Sequence, residues 1–125
     1  MELLLEMEPT GRLHGHFTQR EQTTSICAFD GHAALASLSA ATDDLLRYGR
    51  GECFWEMATG SYRLLFRHAE EDTVRIAVLW GNGIATGWEH ILWSECPAAE
   101  WTITVRGALA AAREDLDSGL REAAG

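Results

Sequence analysis

The feature that most constrains this chain is a two-residue alternation of apolar and polar side chains, returning in short runs that each end in a turn. Met1–Met7 sets Leu3, Leu5 and Met7 against Glu2, Glu6 and Glu8. After the turn Pro9-Thr10-Gly11, Arg12–Thr18 sets Leu13, Gly15 and Phe17 against Arg12, His14 and His16, and Thr23–Phe29 is apolar and β-branched enough for a third strand. The pattern resumes in Glu52–Met57, Tyr62–His68, Thr73–Trp80 and Trp88–Glu95. Ala58-Thr59-Gly60, Glu70-Glu71-Asp72 and Gly81-Asn82-Gly83 separate these runs. Connections this short join antiparallel neighbours, because parallel strands need a crossover of a dozen or more residues.

Two segments change to a helical period. Leu35, Leu38, Thr42, Leu45 and Leu46 recur at spacings of three and four, with Asp30 placed to cap the free amides. Gly49 and Gly51 close this helix, with Arg47 and Arg50 near its negative end. Trp101, Val105, Ala108, Ala112 and Leu116 mark a second helix after Pro97, which suits a first helical position. The order ββ(β)-α-ββββ-α predicts an α+β two-layer sandwich, with one antiparallel meander sheet of about six to seven strands. Both helices cover one face, and the other face stays at least partly open. Residues 1–125 form a single domain, with a frayed tail expected over 114–125.

The charge narrows the partner classes. Nineteen acidic residues oppose ten basic ones, all arginine, for a net charge of −9. A polyanion repels phosphates and anionic lipid, so no nucleic acid and no membrane is expected as a partner, unless the arginines cluster on one face. No run approaches the roughly 18 apolar residues of a membrane span, and the start MELLLEMEP is not that of a signal peptide. Cys27, Cys53 and Cys96 are odd in number and widely spaced, which fits small buried thiols in a reducing cytoplasm. The lysine-free, alanine-rich composition points to a high-GC bacterial coding sequence.

Three constellations bear on chemistry. In His14-Gly15-His16 the two imidazoles project from the same side of a strand, and with His90, His68 or Glu89 they could hold a metal. Strict alternation, however, places His90 on the Leu92 side, opposite the other two. Cys96 stands where a strand meets a helix N-terminus, a setting that stabilises thiolates, whereas Cys53 is in phase with Trp55 and Met57. Both read more simply as structural cysteines. Gly81-x-Gly83 and Gly49-x-Gly51 are too short to cradle phosphate, and no nucleophile elbow, H-E-x-x-H or calcium loop is present. No catalytic residue and no cofactor are assigned.

The third constellation is a face. Opposite the helix-covered side, alternation collects Leu4, Arg12, His14, His16, Arg63, Leu65, Arg67, Arg75, Leu79, Ile91 and Trp93. Arginine and tryptophan beside aliphatics match the composition of interaction hot spots. The plainer alternative is the solvated back of a sheet. Within this face His14, His16, Arg63, Arg67, Arg75 and Trp93 are the candidate binding residues, for a protein partner or for a second copy of the chain.

From Asp43-Asp44-Leu45-Leu46-Arg47 onward, the order of features resembles a poorly characterised family of small, mainly actinobacterial proteins. The resemblance rests on Trp55, Gly60-Ser61-Tyr62-Arg63-Leu64 and Glu95-Cys96-Pro97, with Thr59 where members carry proline. It covers about half the chain and implies no transferable activity; protein recognition is one role it allows. The expectation is a non-enzymatic binding or protein-interaction module, immunity-like or regulatory. The alternative is a small-molecule or metal-binding protein, or an enzyme, working through His14 and His16.

Overall fold

The computed structural model describes residues 1–82 and 87–124, the segment 115–124 by its backbone alone. The chain runs β1 Glu2–Met7, β2 Leu13–Gln19, β3 Gln22–Ala28, α1 Gly31–Tyr48, β4 Arg50–Met57, β5 Gly60–His68, β6 Thr73–Gly81, β7 Glu89–Pro97 and α2 Ala98–Ala124. Each alternating run forms a strand and both helical repeats form helices, so the α+β class holds. Of the tail expected to fray over 114–125, the backbone of residues 114–124 continues α2, whereas Gly125 and the end of the Gly81-Asn82-Gly83 turn lie outside the described residues.

The single meander does not hold. The strands form two antiparallel sheets, one of order β1-β2-β3 and one of order β4-β5-β6-β7. They meet near a backbone hydrogen bond from the Phe29 N–H to the Glu56 carbonyl, 2.8 Å long. They also pack through their apolar faces. A Cβ on Gly15 of β2 would lie 2.9 Å from the Trp55 ring of β4, so only glycine lets that tryptophan rest against the first sheet. One amphipathic strand looks the same whether its neighbours continue its sheet or start another, which is why alternation alone does not count sheets.

One continuous core draws on both sheets and both helices. Trp101 of α2 stands between Phe17 of the first sheet, at 6.4 Å between ring centres, and Phe66 of the second, at 5.5 Å. Each such ring contributes on the order of 3 kcal/mol by leaving water. The Asp30 carboxylate accepts the Ala33 N–H at 3.1 Å and starts α1. Gly49 ends it in the left-handed region at φ 79°, donating to the Leu45 carbonyl. Two residues on, a Cβ at Gly51 would lie 2.0 Å from the Ala41 carbonyl oxygen, so α1 rests directly on β4. Pro97 closes β7, and α2 begins one residue later, at Ala98. Among the described residues no helix is long and apolar enough to cross a membrane.

One irregularity redirects a face. Val78 pairs with Leu92, but Leu79 pairs with His90, which leaves Ile91 as an extra residue on β7. A bulge of this kind shifts the alternation by one. His90 therefore shares the outer face with Leu79, not the Leu92 side that strict alternation assigns, and Ile91 packs against the core instead of joining the outer face.

Candidate functional site

The four-stranded sheet turns Cys53, Trp55, Leu64, Phe66, Val74, Ile76 and Val78 into the core and leaves its other face without a helix. Cross-strand register arranges this outer face in rows. The first is Arg50, Arg67, Arg75 and Glu95; the second is Glu52, Leu65, Ala77 and Trp93; the third is Phe54, Arg63, Leu79 and His90. A groove of about 1150 Å³ opens over the first two rows, with Tyr48 and Asp44 at the end of α1 on its rim.

The groove has an apolar floor beneath charged walls. Leu65 and Ala77 line that floor, and Ala77, like Leu79 in the next row, is only 6% exposed although it points outward, because the longer side chains beside it overhang it. Trp93, directly beside Ala77, is 59% exposed. Arg63 donates to Glu52 Oε2 from Nε at 3.0 Å and from Nη2 at 2.6 Å. Its guanidinium also lies 5.9 Å from the Phe54 ring centre and 5.7 Å from that of Trp88. Those contacts hold it flat against an aromatic ledge, a geometry that arginine sustains better than lysine. Arg75 donates to Glu95 at 2.9 Å. Arg50 and Arg67 have no ion pair among the described residues.

Of the six candidate residues, Arg63, Arg67, Arg75 and Trp93 come together here. His14 and His16 do not, because they lie on the outer face of the other sheet. There the His14 Nε2 is 2.6 Å from Glu8 Oε1, while His16 Nδ1 lies 2.8 Å from the Ser25 hydroxyl and Nε2 lies 3.9 Å from Glu6. The two rings stack at 6.4 Å. The bonds from His14 and Thr10 hold the Glu8 carboxyl below the usual carboxylate range. Among the described residues no group of three or more His, Cys, Asp or Glu is placed to hold a metal ion. Leu4 belongs to this first sheet too, and Arg12, one residue before β2, lies over the exposed Phe29 ring at 5.3 Å.

The cysteines do not supply a nucleophile setting. Burial pushes the Cys53 thiol up to about 12 against a hydrogen bond from Ser37 that lowers it, and burial also raises Cys96 and Cys27. The expected effect of a helix N-terminus on Cys96 is thus outweighed by desolvation.

The face collected from the sequence omits three members of the groove and its ledge. Arg50 was assigned to the end of the helix, although it stands in phase with Glu52 and Phe54 and opens β4. Phe54 is likewise in phase on the outer face. Trp88, where the last alternating run begins, stands one residue before β7 and lies over Gly81, with its ring centre 6.2 Å from that of Phe54. Comparison of the chain with protein-family models, curated proteins and solved structures finds no match.

Proposed function

We propose that this chain is a non-enzymatic protein-recognition module that receives its partner on the outer face of the four-stranded sheet. The observation that carries this reading is the exposed Trp93 beside a recessed apolar floor, flanked by arginines. An isolated solvent-exposed tryptophan is ordinary; one set in a concave face with Arg67, Arg75 and Tyr48 has the composition and shape of an interaction hot spot. The thiols kept protonated by burial and the histidines engaged by neighbouring side chains also favour recognition over catalysis. An immunity-like or regulatory role is the form of recognition that suits so small and acidic a chain. The resemblance to small actinobacterial proteins is compatible with that role.

The test is capture from a lysate of the source cells by immobilised chain, compared with Trp93→Glu and Arg67→Ala variants. Both side chains are exposed, so the melting temperature should stay within the small range typical of surface substitutions. Loss of the captured protein at unchanged melting temperature supports the reading, and unchanged capture rejects it. Light scattering of the same samples reports a second copy as the partner, through loss of dimer in Trp93→Glu.

A further inference from the structure

We propose that the arginine row anchors an acidic segment of the partner protein, with carboxylates on Arg50 and Arg67 and an apolar side chain of the same segment on Leu65 and Trp93. This rests on the recognition surface proposed above and names the chemistry it accepts. Arg50, Arg67 and Arg75 are direct register neighbours on three adjacent strands. Strands lie about 4.8 Å apart, so like charges in register repel and destabilise the sheet. A single carboxylate in the row, Glu95, is engaged by Arg75. Glu52, in the next row, is engaged by Arg63. Asp44, on the rim, lies within ion-pair distance of neither Arg50 nor Arg67, and its neighbour Asp43 pairs with Arg106 of α2 at 3.8 Å. Among the described residues, two neighbouring guanidiniums are therefore left without an anion, on a chain with nearly twice as many acidic residues as basic ones. A carboxylate there would relieve the repulsion and take bidentate, charge-assisted hydrogen bonds.

The same face selects against phosphate polymers. Glu52, Glu56 and Glu95 all lie on it, so a strand with a phosphate at every nucleotide meets carboxylates as well as arginines. A peptide with a few acidic residues around one apolar side chain meets the two unpaired arginines and the floor beside them. The remaining negative charge of the chain is largely screened beyond about 8 Å at physiological salt.

Selection of random dodecapeptides against immobilised chain tests this. The expected result is enrichment of Asp and Glu flanking an apolar residue. An enriched peptide should lose about tenfold to a hundredfold in affinity on Arg50→Gln with Arg67→Gln, the worth of one or two charge-assisted hydrogen bonds. That double variant should be at least as thermostable as the parent, because it removes a repulsion. Selection without acidic enrichment, or equal binding to the double variant, overturns the acidic anchor; if Trp93→Glu still abolishes that binding, the recognition surface stands. Selection that yields no peptide, or is indifferent to Trp93→Glu, overturns both. Displacement of the peptide by oligo(dT) at lower concentration than by unlabelled peptide would assign the arginines to phosphate and also overturn the anchor.

Discussion

Gly51→Ala and Gly107→Ala are the same substitution at two places where the structure demands opposite outcomes. In a strand or helix interior, glycine is roughly 0.5–1 kcal/mol worse than alanine because its unfolded chain has more freedom to lose. On propensity alone both variants gain stability. At Gly107, on the exposed side of α2, an added Cβ meets nothing within 4 Å, so the gain is realised. At Gly51 the added Cβ would stand 2.0 Å from the Ala41 carbonyl oxygen and 2.8 Å from its carbon. Ordinary contact begins near 3.4 Å, so the helix has to retreat by more than an ångström.

The obstacle is backbone, and backbone inside a helix cannot swing aside as a side chain can. Ala41 lies between Leu38 and Leu45, both fully buried, so retreat of α1 lifts two leucines from the core. Overpacking of this kind costs typically 1–3 kcal/mol, and about 3 kcal/mol is expected here. Urea unfolding followed by tryptophan fluorescence measures it. With a slope of roughly 1–3 kcal/mol per molar, the midpoint should fall by about 1 M or more for Gly51→Ala and rise slightly for Gly107→Ala. A Gly51→Ala variant as stable as the parent, with unchanged slope, refutes the close approach of α1 to β4.

Arg20 and Glu21 form the two-residue turn between β2 and β3 with φ of 48° and 68°, a left-handed pair that Asn-Gly adopts more readily. Replacing both by Asn-Gly should raise stability by about 1 kcal/mol, read as a higher urea midpoint; no gain argues against that turn geometry. In native chain near neutral pH, iodoacetamide should modify half-exposed Cys27 first and reach Cys53 only on unfolding, since that thiol is buried and pushed up to about 12. Mass spectrometry of partial reactions showing early Cys53 labelling would contradict its burial. Because Glu8 titrates below the ordinary carboxylate range when folded, its stabilisation is complete above that range and is lost as pH falls through the depressed value. A Glu8→Gln variant should accordingly show a shallower acid loss of stability, and parallel acid limbs would remove the Glu8–His14 bond from the account.

What the sequence made legible was local. Leu3-x-Leu5-x-Met7 and Val74-x-Ile76-x-Val78 announce strands because a half-buried strand must alternate, and Asp30 announces a helix start because its carboxylate can reach a free amide. Arg63, Arg67, Arg75 and Trp93 were placed on one face by the same alternation. What escaped was non-local. The division into two sheets depends on Trp55 meeting Gly15 across 40 residues of chain, a contact that neither residue advertises. The bulge at Ile91 carries no glycine or proline to mark it, so His90 was assigned to the wrong side. Arg50 was hidden by its neighbours: Gly49 and Gly51 read together as a helix ending, whereas one caps α1 and the other makes room beneath it. His14 and His16 were joined to the arginines by an alternation that is common to both sheets.

The composition argues against nucleic acid and anionic membrane as partners, with the stated exception of arginines gathered on one face, and four of the ten do gather there. The two charge scales then act at different ranges, and ionic strength separates them. At about 0.01 M salt the screening length is about 30 Å, so an acidic peptide feels the full net charge of the molecule and is repelled. At about 0.1 M it is about 10 Å, which removes most of that repulsion while carboxylates in contact with Arg50 and Arg67 still feel them strongly. At about 1 M it is about 3 Å, and the contacts themselves weaken. Affinity for an acidic peptide should therefore pass through a maximum at intermediate salt, measured by fluorescence anisotropy. Phosphate contacts dominated by counterion release decline steadily with salt. A monotonic decline would mean that the row acts as an extended basic surface, and that the carboxylates beside it do not shape what it accepts.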